Sequence, residues 1–238
     1  MKNIVSFIRM IGIALIMGLM FALSVDSLIT RKNAYASERI DSIARADTVM
    51  VISSTEYGYG GGTGFLLADH GHLFIVTNRH VCETVGKDRT TFTIVHNKDQ
   101  YQATLIAKST STDLCVIQAP PAFADTLTPL RLAAREPVMN EPLTIYGHPF
   151  LQPLKKQSVL NKGVDIEPLQ PGENFDTPML RIGHIDTIVA PGNSGSPVLN
   201  LIGEVEGVIF AYGQYQLGLY IPLNDLRAFL VAVEDGDQ

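Results

Sequence analysis

Positive charge is scarce in this sequence. Its 238 residues include 18 Lys and Arg against 24 Asp and Glu, for a formal net charge of −6. The first 36 residues hold four of the basic residues and one acidic residue, so 14 basic and 23 acidic residues, near −9, remain beyond them. Proteins that bind nucleic acid draw their affinity from clustered Lys and Arg. Because no basic stripe is present, we expect no nucleic-acid partner.

Low-complexity tracts, internal repeats and linkers between modules are also missing. The 20 glycines and 13 prolines are spread along the chain rather than concentrated. All-β folds of this length commonly form one unit. We therefore expect residues 37–238 to form a single compact domain.

Cysteine is rare, with only Cys82 and Cys115 in the chain. The two could pair in an oxidising compartment, or pack as small buried hydrophobes. Their spacing along the chain does not give a Cα separation, so both alternatives stay open.

The first 36 residues have the plan of a secretory signal peptide. Lys2 and Arg9 precede an apolar run from Met10 to Val25, and small residues stand before a cleavage point after Ala36. The run is shorter than the roughly 20 residues of a spanning helix, but apolar residues also precede Arg9, so an uncleaved membrane anchor is the alternative. Either interpretation predicts an exported chain, periplasmic or extracellular, that meets a membrane only through this segment.

Two sets of short β-branched runs alternate with turn residues. The first set is Val49–Ser53, Gly64–Leu67, Leu73–Thr77, Thr91–His96, Gln102–Ala107 and Leu114–Gln118. The second is Pro142–Gly147, Ser158–Ile166, Met179–Ile182, Ser196–Leu199, Glu206–Tyr212 and Gly218–Ile221. Strands at this spacing, without amphipathic helices between them, indicate barrels or sandwiches. We predict an all-β fold of two packed six-stranded antiparallel barrels, about 47–125 and 138–222, with a cleft between them.

The end of the chain has a different period. Apolar residues recur there at three- and four-residue steps, at Leu223, Leu226, Phe229, Leu230 and Val233. This pattern predicts a terminal helix over 223–234, with Asn224 or Asp225 as its cap.

A serine stands in a glycine-containing turn, Pro191-Gly192-Asn193-Ser194-Gly195-Ser196-Pro197. Glycines let backbone N–H groups converge on one point, and the amides of Gly192 and Ser194 are the candidates for an oxyanion hole. Serine is a poor nucleophile without a base and a group that orients that base. His80 directly follows an apolar strand, and Asp113 begins another. The order His80, Asp113, Ser194 is the order of the triad in chymotrypsin-like barrels.

With these residues the chain resembles trypsin-like serine proteases, and more closely their bacterial HtrA (Deg) branch, from about Asp47 to Phe229. The motifs that carry the resemblance are Gly62-Thr63-Gly64-Phe65, Thr77-Asn78-Arg79-His80-Val81, Asp113-Leu114, Gly147-His148-Pro149-Phe150, Asp186, Gly192-Asn193-Ser194-Gly195 and Tyr220-Ile221-Pro222. The resemblance implies a chymotrypsin fold and a serine endopeptidase with Ser194 as nucleophile, His80 as general base and Asp113 as its orienting carboxylate. It implies protein or peptide substrates, no cofactor and no metal ion.

The chain departs from the family pattern in three ways. Ser196 stands where the family usually has glycine, which is tolerated if the backbone there does not need a positive φ. We expect no PDZ domain after the terminal helix. Asn193 replaces the aspartate that pairs with a new N-terminus in zymogen-activated trypsins, so the resemblance implies activity without proteolytic activation.

The fold resemblance also implies which residues surround the pocket for the substrate side chain that precedes the cut. They are Ile188, Val189, Ile209, Phe210, Ala211 and Tyr220, and none is charged. Ile188 is expected at the pocket floor. An uncharged pocket with a branched floor predicts cleavage after small to medium apolar residues rather than after Lys or Arg.

The remaining histidines do not indicate a metal site. His70 and His72 flank Gly71, but no Cys, Asp or Glu pattern completes a site, so a hairpin turn at Asp69-His70-Gly71 is the favoured interpretation. His148 and His184 are assigned no chemistry.

Two rival functions remain. One is a catalytically weak pseudoprotease, a peptide-binding or chaperone-like module that keeps the cleft without the reaction. The other is an esterase, although dedicated esterases use a Gly-x-Ser-x-Gly elbow on an α/β sheet, which this chain lacks.

Overall fold

The computed structural model describes residues 30, 34–35, 37–55, 58–84, 87–88, 91–169, 175–212 and 217–236. The chain divides into two units, Met1–Ile40 and Asp41–Gln238. Most of the predicted signal peptide or anchor, residues 1–36, lies outside the described residues. Within the described ranges, no helix is both long and apolar enough to cross a membrane.

The first barrel contains six strands. They are β1 (Thr48–Thr55), β2 (Gly58–Asp69), β3 (His72–Thr77), β6 (Thr91–His96), β7 (Asp99–Lys108) and β8 (Cys115–Gln118), and a two-stranded hairpin of β4 (Glu83–Thr84) and β5 (Lys87–Asp88) follows β3 along the chain. The strands pair antiparallel in the order β1-β2-β3-β8-β7-β6, and pairing of β6 with β1 closes the barrel.

The second barrel is built in the same way. Its strands are β9 (Pro142–Gly147), β10 (Lys155–Pro168), β11 (Met179–Ile185), β12 (Pro197–Leu199), β13 (Val205–Tyr212) and β14 (Gly218–Pro222). They pair antiparallel in the order β10-β11-β14-β13-β12-β9, and β9 pairs with β10 to close the barrel. The predicted fold class, two six-stranded antiparallel barrels, is confirmed.

Four helical segments of four or more residues lie within the described ranges. They are α1 (37–47), α2 (Arg79–Cys82), α3 (Pro121–Thr126) and the terminal α4 (Leu223–Asp235), with a 3₁₀ turn at Pro149–Leu151. The terminal helix was predicted, but its expected cap was not correct. Pro222 is the N-cap residue and makes no side-chain cap bond, and the amide of Asn224 instead donates to Glu136 Oε1 at 3.1 Å. A carboxylate from outside the helix thus satisfies one of its free N–H groups.

Helix α4 is held by a shared apolar core. Leu226, Phe229 and Leu230 are buried in one cluster with Leu67 and Phe74 from the β2–β3 hairpin. Burial of a large apolar side chain stabilises a fold by about 1.5–3 kcal/mol. The cluster therefore fixes the terminal helix against the end of the first barrel.

Cys82 and Cys115 form a disulfide whose Cα atoms lie 6.6 Å apart. Both residues are fully buried. The bond joins α2 to β8, which resolves the alternative that the sequence left open. It also suits the oxidising compartment that an exported chain would reach.

Candidate active site

His80 stands at the mouth of the first barrel on the four-residue helix α2. Strand β3 ends at Thr77, and the carbonyl of Asn78 accepts the amides of Val81 and Cys82. These bonds turn the chain sharply after a buried strand. The imidazole is consequently left half-exposed, with 49% of its side chain accessible.

Asp113 is held by the loop that leads into β8. Ser109 Oγ accepts the amides of Ser111 and Thr112 at 3.2 Å each, and the Ser109 amide donates to the carbonyl of Leu114 at 2.9 Å. Asn78 Nδ2 donates to the carbonyl of Asp113 at 2.8 Å. The loop is thus tied both to itself and to the segment that precedes His80.

The carboxylate of Asp113 contacts His80 twice. The His80 amide donates to Oδ1 at 2.9 Å, and Nδ1 lies 2.6 Å from Oδ2. Because a carboxylate can only accept, Nδ1 carries the proton, and neutral His80 presents Nε2 as a free base. Partial burial lowers the pKa of His80, but the hydrogen bond to Asp113 and the charges of Asp113 and Glu83 outweigh it, so the pKa lies above its ordinary value.

The turn that carries Ser194 depends on two glycines. Gly192 and Gly195 have φ values of 91° and 86°, which side-chain-bearing residues rarely adopt. A Cβ on Gly192 would also collide with the carbonyl of His148, and one on Gly195 with the carbonyl of Thr63. Gly195 is therefore needed for the turn to pack against β2 of the first barrel, and Gly192 for it to pack against the segment that follows β9.

The backbone amides of this turn fall into two groups. Those of Asn193, Gly195 and Ser196 donate to nearby carbonyls. Among the residues that the structure describes, no backbone carbonyl accepts the amides of Gly192 or Ser194. These two N–H groups are therefore available to an incoming oxygen, as an oxyanion hole requires.

Gly62 separates the Ser194 turn from the helix of His80. A Cβ at Gly62 would lie 2.6 Å from the carbonyl oxygen of Ser194 and 2.8 Å from a methyl group of Val81. The Ser194 turn and the residue after His80 thus approach Gly62 too closely to leave room for a methyl group there.

Thr63 fastens the turn, a role that the sequence alone did not indicate. Its hydroxyl donates to the carbonyl of Gly192 at 2.8 Å and accepts the amide of His148 at 2.9 Å, and its own amide donates to the carbonyl of Ser194 at 2.7 Å. Thr77 Oγ1 in turn donates to the Thr63 carbonyl at 2.7 Å. The Gly-Thr-Gly motif was noted as part of the family resemblance, but only the fold shows which groups its hydroxyl meets.

The Ser194 hydroxyl donates to the carbonyl of Phe210 at 3.3 Å. No hydrogen bond joins it to His80, although the structure describes both side chains. Catalytic hydrogen bonds are often open in a ligand-free enzyme and tighten when substrate binds. The structure therefore shows the hydroxyl of the predicted nucleophile bonded to Phe210 and not to the predicted base.

An apolar cavity of about 220 Å³ lies beside Ser194. Its walls are formed by Val189, Ala190, Pro191, Ile209, Phe210 and Ala211. Four of the predicted pocket residues, Val189, Ile209, Phe210 and Ala211, line this cavity.

Two predicted pocket residues lie elsewhere. Ile188 is 58% exposed and does not line the cavity, because its neighbour Val189 turns into the core while Ile188 faces outward. Tyr220 is fully buried, its hydroxyl donates to Asn161 Oδ1 at 2.9 Å, and its ring fills the space over Gly183. Neither Ile188, expected at the pocket floor, nor Tyr220, expected in the pocket, lines the cavity beside Ser194.

A second cavity of about 350 Å³ opens on the other side of Phe210 and Ala211. His80 and Asp113 line it, together with apolar residues of β11 such as Leu180. The two cavities share Phe210 and Ala211 as lining residues, so the cavity beside Ser194 adjoins the one lined by His80 and Asp113.

The other histidines occupy different surroundings. His148 Nδ1 lies 3.0 Å from the carbonyl of Gln152, and burial lowers the pKa of the ring. His184 lies 3.3 Å from a carboxylate oxygen of Glu167. Residues 70 and 71 form the predicted hairpin turn between β2 and β3.

Ser196 does not have a positive φ, so the serine in place of glycine is accommodated.

Comparison with known protein families identifies the family of this chain. The trypsin-like peptidase domain matches residues 62–208, more than half of the chain. The chain belongs to the trypsin-like peptidase family. Its relatives within that family include a probable periplasmic serine endoprotease DegP-like of Chlamydia pneumoniae, 33% identical over 68% of this chain and 32% of the relative. The serine protease Do-like HtrB of Bacillus subtilis is 29% identical over 78% of this chain and 43% of the relative.

The resemblance of this trypsin-like peptidase to the HtrA branch is thereby confirmed. Mitochondrial serine protease HTRA2 of Bos taurus is a further relative, 30% identical over 75% of this chain and 37% of the relative. The chain spans less than half the length of these three relatives.

Solved structures show the same fold. The active form of the Rv3671c protease of M. tuberculosis has a TM-score of 0.71 and 19% identity, covering 82% of this chain and 83% of that one. The serine endoprotease of Yersinia pestis has a TM-score of 0.65 and 20% identity, covering 84% of this chain and 67% of that one. At these identities the likeness concerns the fold of the trypsin-like peptidase and not its substrates.

Proposed function

We propose that this trypsin-like peptidase is a serine endopeptidase that uses Ser194, His80 and Asp113 as a triad. The observation that carries the proposal is the His80–Asp113 pair, with Nδ1 2.6 Å from Oδ2, standing across Gly62 from the Ser194 turn. His80 Nε2 takes the Ser194 proton as Oγ attacks the substrate carbonyl carbon. The same proton then passes to the leaving amine, which departs to leave an acyl-enzyme that water hydrolyses by the same route.

The amides of Gly192 and Ser194 are proposed to bind the developing oxyanion. Their availability supports this assignment, since the three other amides of the turn are already bonded. Loss of one such donor typically costs about 10²–10³ in kcat in related mechanisms. The Asp113 carboxylate holds His80 in the tautomer that leaves Nε2 free, and it stabilises the imidazolium after proton transfer.

We propose cleavage after small to medium apolar residues such as Val, Ala and Ile. The cavity beside Ser194 has no charged side chain among its walls. A Lys or Arg side chain would lose its hydration there without an ion pair, at a cost of several kcal/mol. Discrimination among apolar side chains is expected to be modest, because one methylene is worth about 1–3 kcal/mol.

We also propose that the domain acts outside the cytoplasm. The basic and apolar start of the chain has the plan of a signal peptide, and the Cys82–Cys115 disulfide is of the kind that persists in oxidising compartments. Fractionation of cells should find residues beyond Ala36 across a membrane. Finding the intact, Met1-containing chain soluble in the cytoplasm would contradict this.

A second candidate function is peptide binding with little turnover. The observation that favours it is the Ser194 hydroxyl, which is bonded to the Phe210 carbonyl and not to His80. In such a protein the cleft would hold an extended peptide while the nucleophile stayed misaligned.

One pair of assays distinguishes the endopeptidase from the peptide-binding module. A fluorophosphonate probe should label the wild-type chain and not Ser194→Ala, and the wild type should degrade an unfolded protein. Ser158→Ala, at an exposed serine on β10, is the matched control and should be labelled normally. Binding of unfolded protein without cleavage or labelling would instead identify the binding module, and cleavage of esters alone would identify an esterase.

Pocket specificity is tested with a peptide library. Val189→Ala should shift preference toward larger apolar residues, because Val189 lines the cavity, whereas Ile188→Gly should leave preference unchanged. Dominant cleavage by the wild type after Lys, Arg, Asp or Glu would refute the proposed pocket.

A further inference from the structure

Three metal-ligating side chains meet far from Ser194, where the β2–β3 hairpin approaches the end of α4. His70 Nδ1 lies 3.4 Å from Asp69 Oδ2 and 3.5 Å from Glu234 Oε2. The ligand atoms of all three residues lie within 4.8 Å of one another. The cluster joins the tip of a first-barrel hairpin to the terminal helix, so only folding assembles it.

The two distances from His70 Nδ1 match the edges of a tetrahedral metal site better than they match hydrogen bonds. N–H···O bonds in proteins span about 2.7–3.2 Å. Ligands that each lie about 2.1 Å from a tetrahedral zinc ion are separated from one another by about 3.4 Å. Within the described part of the chain, the three side chains make no hydrogen bond or ion pair outside the cluster.

The backbone that carries the three ligands is fixed by packing. His70 and Gly71 form a two-residue turn with φ values of 41° and 88°, as a tight hairpin requires. Three residue pairs from the turn, Leu67 and Phe74 pair across the hairpin and lie in the same buried cluster as Phe229 of α4. The ligands therefore project from elements that the core holds together.

We propose that Asp69, His70 and Glu234 bind a zinc ion, with water in the fourth position, and that this ion ties the terminal helix to the first barrel. One imidazole nitrogen with two carboxylate oxygens suits zinc, whereas magnesium and calcium prefer oxygen ligands throughout. In the sequence, His70 has His72 as its neighbouring histidine, and no acidic pattern completes a site there. In the structure His72 stacks on Phe74, and Glu234 supplies the carboxylate.

The test is zinc titration of the metal-free, tag-free full chain at pH 7.5, by calorimetry and by melting temperature. We expect one ion per chain at this site and a melting temperature raised by roughly 5–10 °C at about 100-fold excess over Kd. His70→Asn should keep the turn, because Asn tolerates a positive φ, and it should weaken zinc binding at least about tenfold. Glu234→Gln should do the same, while Asp235→Asn, one residue further along the helix, should bind as the wild type does.

Several outcomes would overturn the proposal. One is a melting temperature that zinc does not change; another is equal zinc binding by the wild type, His70→Asn and Glu234→Gln. An equal shift with magnesium would also overturn it, since the carboxylates alone would then account for binding. The titration is repeated in His80→Ala to remove any zinc held by the His80–Asp113 pair, and the shift should persist there.

Discussion

The first barrel holds His80 and Asp113 with side-chain bonds, whereas the second holds Ser194 with its backbone. Asp113 accepts two hydrogen bonds from His80, and a disulfide lies two residues beyond each of them. The Ser194 turn contains two positive-φ glycines, and its amides and carbonyls make the contacts that place it.

This difference shows that the Ser194 hydroxyl and the His80 ring are the two groups that are not yet aligned with each other. His80 and Asp113, the proposed base and its orienting carboxylate, are already hydrogen-bonded within the first barrel, so their pairing requires no motion. Ser194, the proposed nucleophile, belongs to the second barrel, and its hydroxyl is bonded to Phe210. Rotation of that one side chain is therefore the step that substrate binding would have to favour.

The largest loss of activity is expected when the side chain of Ser194 or of His80 is removed, one from each barrel. Ser194→Ala or His80→Ala should each reduce kcat by about 10⁶-fold, and the double variant should be scarcely slower, because the two groups act as a unit. Asp113→Asn should retain the fold but lose about 10⁴-fold through the wrong His80 tautomer. Peptide hydrolysis is measured beside thermal melts, and losses that add in the double variant would contradict a triad that spans both barrels.

Removing the covalent tie of the first barrel should affect stability more than catalysis. Cys82→Ala combined with Cys115→Ala should lower the free energy of unfolding by about 3–4 kcal/mol, because the bond closes a loop of 33 residues. Urea unfolding measures the loss. At low temperature kcat should fall less than about tenfold, since Asp113 holds His80 by its own hydrogen bonds. A kcat as low as that of His80→Ala would show that the disulfide sets the ring instead.

Thr63, on β2 of the first barrel, holds the Ser194 turn of the second barrel. Thr63→Val removes the hydroxyl from the Gly192 carbonyl and leaves the His148 amide without an acceptor, at a cost of about 1–3 kcal/mol. We expect kcat to fall by about 10–100-fold with little change in KM, since the loss falls on the oxyanion turn. Thr63→Ser should restore activity. A rise in KM alone would show that Thr63 supports substrate binding and not the turn.

The smallest expected effect concerns Glu83. Activity requires neutral His80, so it falls as pH drops through the pKa of His80, and the charge of Glu83 raises that pKa. Glu83→Gln should lower the pKa and move the acidic limb of the kcat/KM profile to lower pH by about a few tenths of a unit. The difference should shrink in high salt. A shift to higher pH would contradict the assignment of His80 as the base.

Local pattern predicted most of the fold. Alternation of β-branched residues with turns identified all twelve barrel strands, and a three-to-four-residue period identified α4. Helix α1 was not predicted, although Ala44 is buried in the main core and Asp41 accepts a hydrogen bond from Tyr146 at 2.7 Å. Its stability comes from these distant partners, and a short segment carries little sign of them in its own periodicity.

The order His80, Asp113, then Ser194 in a glycine-dependent turn can be recognised along the chain without any knowledge of the fold. Which side chains face each other depends on the folded protein. Tertiary structure turned Val189 into the cavity and Ile188 out of it, and it brought Glu234 to His70. Side-chain direction depends on backbone conformation and on packing between segments far apart in the chain, and neither is contained in the spacing of a motif.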